Sequence, residues 1–289
     1  MNNLPDFIGS ELTIRDKKES RFHVIPVPME TSVSYGGGTA QGPRAILEAS
    51  QQLEAWDGRS HPLEWGIHTT PPVDCGGSVD EILDLIEHAV DKTLSLGALP
   101  IILGGEHTVT LGALRALKKA NSAPFGIVQI DAHADLRDTY EGSPLSHACV
   151  MRRATQDLGI PLIQIGVRAL SHEEEKYRQA REITFFDARE LHLLGIPDHL
   201  FPPNFPDHVY ITLDVDGLDP SVIRATGTPV PGGLGWHDTL TLLEKSVSGK
   251  KVVGFDVVEL APAPGDHASD FATAQLVYST MGIIQRIGA

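Results

Sequence analysis

The chain has 289 residues, of which 41% are hydrophobic and 21% are charged. A chain of this length buries enough apolar surface to fold without a disulfide framework, and two cysteines are too few for one. Lysine and arginine number 23 against 38 aspartates and glutamates, which gives a formal net charge of −15. This balance argues against nucleic acid or an anionic membrane as partner, because no basic field attracts phosphate. It suits a small cationic ligand.

The sequence shows no targeting or membrane-spanning signal. The first twenty residues lack the apolar core of a signal peptide. No apolar run approaches the roughly 20 residues that a helix needs to span a bilayer. We therefore expect a cytoplasmic protein.

Short apolar runs alternate along the chain with segments of helical periodicity. The predicted strands, in chain order, are 22–27, 99–103, 126–130, 162–165, 209–213 and 252–258. The predicted helices are a segment opened by Gly42-Pro43, then 79–90, 108–120 and 271–284. Strands separated by helices favour a mostly parallel sheet covered by helices on both faces. No linker, charge run or repeat divides the chain, so we predict a single α/β domain.

Residues that can bind metals follow three of these strands directly. GGEH at 104–107, DAHAD at 131–135 and DVD at 214–216 each begin where an apolar run ends. Sites in open α/β sheets lie beyond the carboxyl ends of the strands, and alternate residues of an extended segment share a face. The pattern thus brings four carboxylates and two imidazoles to one sheet edge: His107, Asp131, His133, Asp135, Asp214 and Asp216.

Such a cluster predicts a pair of metal ions. Four neighbouring carboxylates repel and raise one another's pKa unless cations neutralise them. Mixed carboxylate and imidazole ligation suits Mn²⁺, with Fe, Co, Ni or Zn as alternatives. Two ions that share carboxylates lower the pKa of a water between them and supply hydroxide at neutral pH. A single Asp-X-Asp is usually a turn or cap, so the specificity lies in the combination of three strand ends.

These motifs resemble those of the ureohydrolase family, which includes arginases and agmatinases. The similarity is carried by GGEH, DAHAD, TLDVDGLDP at 212–220 and VVEL at 257–260, with GGGTAQGP at 36–43 and GTPVPGGL at 227–234 as further elements. It extends from about residue 22 to the end of the chain. It implies a three-layer arginase-like fold over one domain, 1–289, with residues 1–20 as an N-terminal extension. It also implies two Mn²⁺ per subunit and a homo-oligomer, either a trimer or a hexamer.

The resemblance further implies which residues hold each metal. The residues of one site would be His107, Asp131, Asp135 and Asp214. The residues of the other would be His133, Asp131, Asp214 and Asp216. Asp131 and Asp214 would therefore bridge the two ions, and the hydroxide between the ions would attack the guanidinium carbon of the substrate.

Three more residues receive roles by their matching motifs. His147, in the segment SHA at 146–148, would pass protons to the leaving amine. Glu259 would hold the planar guanidinium by paired hydrogen bonds. Thr228 would contact the guanidinium or support the tetrahedral intermediate, although a structural role in a turn fits it equally well.

The substrate is inferred from the residues expected at the rim. The interval 136–146 carries Asp138 and Glu141, which would repel an α-carboxylate, and the segment after Gly166-Val167-Arg168 is neutral. Both features argue against arginine, so within the family the chain is most similar to agmatinases. We predict hydrolysis of agmatine to putrescine and urea, with Glu141 binding the distal ammonium group.

Several alternatives remain open at this stage. Within the family the substrate could be aminopropyl-agmatine, guanidinobutyrate, guanidine or arginine. Guanidinobutyrate becomes a better candidate substrate if Arg137 faces the pocket and Glu141 faces away. Formimidoylglutamate or a phosphoester would need more basic groups than the sequence offers. A regulator of the same fold that binds metals without catalysis would have lost a ligand, His147 or Glu259, and all of them are present.

Overall fold

The structure is a computed structural model that describes residues 4–14, 16–120 and 123–288. Its centre is one eight-stranded sheet in the order β2-β1-β3-β8-β7-β4-β5-β6. Every neighbouring pair of strands is parallel. The strands are β1 (Phe22–Val27), β2 (Ile67–Thr69), β3 (Leu99–Gly104), β4 (Phe125–Ile130), β5 (Leu162–Ile165), β6 (Thr184–Phe186), β7 (His208–Asp214) and β8 (Lys251–Val258).

Helices connect the strands, as parallel crossovers require. They are α1 (Gly42–Ala49), α2 (Val79–Ser95), α3 (Val109–Ala120), α4 (Val150–Gln156), α5 (His172–Ala180), α6 (Ala188–Leu194), α7 (Trp236–Val247) and α8 (His267–Ile287). Over the described ranges, no helix is long and apolar enough to cross a membrane.

The sheet is covered on both faces, which confirms the predicted three-layer α/β fold. Alternation along β1 shows this directly, since Phe22 and Val24 pack into one core and Ile25 and Val27 into another. The first core holds the apolar faces of α1, α7 and α8. The second core holds those of α2, α3 and α4.

The predicted N-terminal extension packs onto this body where it is described. Phe7 and Ile8 are fully buried in the first core. The Phe7 amide donates to Thr69 Oγ1 over 2.8 Å, and its ring lies 6.4 Å from that of Tyr278 on α8. The segment thus closes the same side of the sheet as α8.

Four adjacent strands in the middle of the sheet, β3, β8, β7 and β4, end at one edge. The loops that leave them approach one another closely. A Cβ on Gly105 would lie 1.9 Å from the carbonyl oxygen of Met29, and one on Gly217 would lie 2.8 Å from the amide nitrogen of Asp131. Only glycine fits at these two positions, and the close approach lets the motifs of separate strands share one site.

Candidate active site

The first cluster of predicted ligands surrounds one nitrogen atom of His107. Its Nδ1 lies 3.2 Å from Asp131 Oδ2, 2.9 Å from Asp135 Oδ2 and 3.5 Å from Asp214 Oδ2. All four residues are buried. Asp135 adopts a left-handed backbone conformation with φ of 54°, which is uncommon outside glycine and concentrates at functional sites. The structure therefore brings together the four residues predicted for one metal.

The second cluster shares Asp131 with the first. His133 Nδ1 lies 3.0 Å from Asp216 Oδ2 and 3.7 Å from Asp131 Oδ1. The backbone orients these carboxylates, since the Ala132 amide donates to Asp216 Oδ1 and the His133 amide to Asp131 Oδ1. Both clusters, His107/Asp131/Asp214 and Asp131/His133/Asp216, have donor atoms close enough to bind one ion each.

The hydrogen bonds behind His107 fix which of its nitrogens can bind a metal. Thr212 Oγ1 donates to Asp256 Oδ1 over 2.6 Å, so the His107 Nε2–H must donate to Thr212 across 2.8 Å. This leaves Nδ1, which is buried and directed at three carboxylates, as the nitrogen from which the ring can bind a metal. A lone pair facing carboxylate oxygens is repulsive unless a cation lies between them. The residues therefore fit a metal ion at this position.

The charges of the cluster lead to the same conclusion. Burial raises the pKa of Asp135 to about 7, with a further contribution from the charge of Asp131. Burial and the neighbouring carboxylates of Asp216 and Asp131 raise the pKa of Asp214 well above its usual range. Without cations these carboxylates must take up protons, whereas two divalent ions would neutralise them.

His147 lies beside the clusters in the wall of the same cavity, at the start of the turn that leads into α4. Its ring is held at both nitrogens, by Ser32 Oγ at 2.8 Å from Nδ1 and by Ser34 Oγ at 2.9 Å from Nε2. The ring edge of Tyr140 packs on it with centroids 5.5 Å apart. Burial lowers the pKa of His147, so the ring is neutral at pH 7 and can accept a proton.

Glu259 follows β8 and reaches the cavity through a left-handed backbone conformation with φ of 66°. Its Oε1 accepts the His107 amide over 2.6 Å, which ties it to the first metal cluster. Burial raises the pKa of Glu259 to about 8. A half-buried carboxylate with a raised pKa gains from a cationic partner, which suits the predicted contact with a guanidinium.

The cavity above the clusters has a volume of about 430 Å³, within the usual range for ligand sites. Thr228 is among the residues that line it. Glu141 is exposed and is not among the lining residues, because Glu141 and Gly142 form the tip of a tight turn with φ of 50° and 83°. Paired backbone hydrogen bonds between Tyr140 and Ser143 close this turn and direct its tip into solvent.

The rim therefore differs from the acidic rim that the sequence suggested. Arg137 lines the cavity, with its Nε 3.8 Å from Glu174 Oε2 and its guanidinium 5.4 Å from the Tyr140 ring. Glu174 also lines the cavity, whereas Asp138 pairs with Arg153 over 2.5 Å. The rim thus presents one cation and one carboxylate side by side. Glu174 was missed because it lies on α5, which has no apolar pattern to mark it.

A parallel α/β sheet with two adjoining His/Asp clusters at its carboxyl edge, each able to hold a metal ion, is typical of hydrolases of the two-metal class. Comparison with known proteins identifies the family. The model of the Arginase family matches residues 20–282. The N(1)-aminopropylagmatine ureohydrolase of Synechocystis sp. is 39% identical, covering 96% of this chain and 92% of the relative. The agmatinase of Pyrococcus horikoshii is 31% identical, covering 96% of each.

A solved structure supports the same family assignment. The agmatine ureohydrolase of Thermoplasma volcanium superposes with a TM-score of 0.85 and 30% identity, covering 99% of this chain and 96% of that chain. The chain belongs to the arginase family, as the motifs predicted, and is a hydrolase that acts on guanidino substrates.

Proposed function

We propose that this protein hydrolyses the guanidino group of N1-aminopropylagmatine, releasing urea and the corresponding triamine. The observation that carries the proposal is the joint opening of both ligand clusters and Glu259 into one cavity of about 430 Å³. The name of the Synechocystis relative supports the choice of substrate. The volume leaves room for a substrate longer than agmatine.

We assign each residue a role from its position in the cavity. Glu259 binds the guanidinium at the inner end of the cavity and orients its carbon toward the two clusters. His147, on the cavity wall, exchanges a proton with the amine that leaves. When two divalent cations are bound by the clusters, they lower the pKa of a water molecule so that it can act as the nucleophile. We propose Mn²⁺ because four of the six ligands are carboxylates.

The Arg137–Glu174 pair receives the rest of the substrate. Glu174 attracts the amines of a polyamine tail, and the neighbouring charge of Arg137 offsets part of that attraction. The secondary amine and terminal ammonium of the aminopropyl arm give two cations that compete for this carboxylate. A substrate with one ammonium competes less well.

Agmatine is the second candidate, in keeping with the expectation from the motifs. The names of the Pyrococcus relative and the Thermoplasma structure support it. Its hydrolysis would give putrescine and urea by the same steps. Because Arg137 faces the cavity, guanidinobutyrate belongs in the same test.

The test is urea release by the Mn²⁺-loaded protein with N1-aminopropylagmatine, agmatine, guanidinobutyrate and arginine in parallel. We expect kcat/KM for aminopropylagmatine to exceed that for agmatine by about tenfold or more, which corresponds to about 1.4 kcal/mol. A preference for agmatine would favour the second candidate. Absence of urea from all four substrates, with two ions bound per chain, would refute the proposed activity.

A further inference from the structure

Glu106 is the one member of the GGEH motif whose charge has no role in binding metal or substrate. Its carboxylate is fully buried. It does not line the cavity. Instead, it accepts hydrogen bonds from the backbone amides of Thr31 and Ser32 and from three hydroxyl groups, those of Thr31, Ser32 and Thr108. A buried carboxylate that accepts from five donors holds them in fixed positions.

One of these donors also contacts His147. Ser32 Oγ lies 3.0 Å from Glu106 Oε1 and 2.8 Å from His147 Nδ1, and it accepts the His147 amide over 3.2 Å. Ser146 Oγ is more distant from Nδ1, at 3.4 Å. Ser32 is thus the only residue among those described that bonds both the buried carboxylate and the imidazole ring.

The single proton of the Ser32 hydroxyl decides the state of the ring. A carboxylate can only accept, and a hydrogen bond to a charged acceptor is stronger than one to a neutral ring nitrogen. The hydroxyl of Ser32 therefore donates to Glu106, and Nδ1 must carry a hydrogen and donate to Ser32. Nε2 then holds the lone pair, to which the hydroxyl of Ser34 donates over 2.9 Å.

We propose that Glu106, acting through Ser32, is a positioning residue that fixes the Nδ1–H tautomer of His147 and so makes Nε2 the atom that exchanges protons with the substrate. The inference rests on the proposed function, in which His147 protonates the leaving amine. In a catalytic triad, a carboxylate orients a histidine through the second ring nitrogen. Here the carboxylate acts in the same way, but a serine hydroxyl lies between it and the ring.

The consequence for the reaction is a proton path with a defined direction. Nε2 first takes a proton from the attacking water, and the imidazolium that forms keeps its Nδ1–H bond to Ser32. As the C–N bond to the amine breaks, the bonding electron pair moves to the amine nitrogen and the Nε2 proton joins it, while the urea oxygen loses its remaining proton to solvent as the C=O bond forms. His147 returns to the neutral Nδ1–H form. The nearby charge of Glu106 stabilises the imidazolium between the uptake of the proton by Nε2 and its release to the amine.

The experiment compares two neighbouring hydroxyls that donate to the same carboxylate. Ser32→Ala removes the hydroxyl that reaches His147, and Thr31→Val removes one that reaches Glu106 alone. Ser32→Thr restores the hydroxyl. The first readout is the ring ¹⁵N spectrum of the protein loaded with diamagnetic Mg²⁺ or Zn²⁺, with His147→Gln used to assign the signal. The second readout is kcat and KM for urea release by the Mn²⁺ form.

We expect the Nδ1–H tautomer of His147 in the wild type, Thr31→Val and Ser32→Thr, and a shift toward Nε2–H in Ser32→Ala. We expect kcat to fall about tenfold to a hundredfold in Ser32→Ala with KM unchanged, and less than twofold in Thr31→Val. An Nε2–H tautomer in the wild type, or equal losses in Ser32→Ala and Thr31→Val, would overturn the proposal. If no variant releases urea, the proposed function fails, and the ring spectrum still decides the tautomer.

Discussion

The two ligand clusters share Asp131 yet lie in different surroundings. The side chain of His107 is 1% exposed, and that of His133 is 28% exposed. Behind His107, Asp256 is fully buried and accepts hydrogen bonds from Thr110, Tyr210 and Thr212. His133 opens onto the cavity. The first position is therefore held by the buried core of the sheet, and the second by the loops after β4 and β7, next to the cavity.

This difference has a thermodynamic consequence. A buried ligand whose second nitrogen is held by a hydroxyl that in turn bonds a buried carboxylate binds metal more tightly than a more exposed ligand without such a partner. We expect the His107 position to fill first and to stabilise the fold, and the His133 position to fill second and to exchange with solvent. The predictions below separate the two positions, beginning with the largest effect.

Removing the shared ligand should abolish both positions. Asp131→Asn takes away a carboxylate whose two oxygens face His107 and His133. We expect activity to fall by at least about 10³-fold, since an activated water is lost, together with the loss of both ions. Metal analysis after gel filtration and urea release check this. Retention of two ions would contradict the shared role of Asp131.

Two isosteric changes should separate the positions. Of the two ligand histidines, Asp216 contacts only His133, and Asp135 contacts only His107. We expect Asp216→Asn to keep one tightly bound ion per chain and Asp135→Asn to lose that tight ion, with catalysis impaired in both. Calorimetric titration of the metal-free variants measures this. Equal weakening of both binding steps in each variant would show that the clusters do not bind independently.

A smaller effect is expected behind the buried cluster. Thr212→Val removes the hydroxyl that links His107 Nε2 to Asp256. The affinity of the first ion should fall about tenfold to a hundredfold, as for other outer partners of metal ligands, and unfolding of the metal-free protein should be easier by about 1–3 kcal/mol because a buried N–H loses its acceptor. Titration and denaturant melts check this. The second, more exposed binding step serves as the internal control.

The pH dependence of stability tests the buried His107 cluster separately. Burial raises the pKa of Asp135 to about 7, so the folded chain holds a proton that the unfolded chain releases near pH 4. Its contribution to stability is complete below about pH 4 and is lost as pH rises toward 7. We expect the Tm of the metal-free protein to fall over this interval, and to fall less steeply in Asp135→Asn. Saturating metal should offset the fall, because the ions require deprotonated carboxylates. A Tm independent of pH in the metal-free protein would contradict this account.

Strands that carry strong apolar runs were predictable from sequence. The strands that lead into the site, such as β3 and β4, lie within one residue of their predicted bounds. The ligands followed from these strand ends. In contrast, β2 and β6 have three residues each, and β6 is only half-buried, so neither has a pattern to detect. The capping box of Ser171 and Glu174 was the available signal for the polar helix α5.

The parts of the site that depend on loop conformation were not predictable. Ser32 and His147 are 115 residues apart in the chain, and no spacing rule joins them. Glu141 and Arg137 lie in one short loop, and the backbone angles of its turn decide which of them reaches the cavity. Strand ends are fixed by hydrogen bonds of the sheet, whereas loop side chains depend on turns that several sequences share.

Stepwise metal loading tests the central claim most directly. Metal-free protein would be titrated with Mn²⁺ while bound metal and urea release from N1-aminopropylagmatine are measured on the same samples. The two-cluster account predicts two ions per chain that bind in separate steps, with activity appearing as the second ion binds. Full activity with one ion per chain, or two bound ions without urea release, would contradict it.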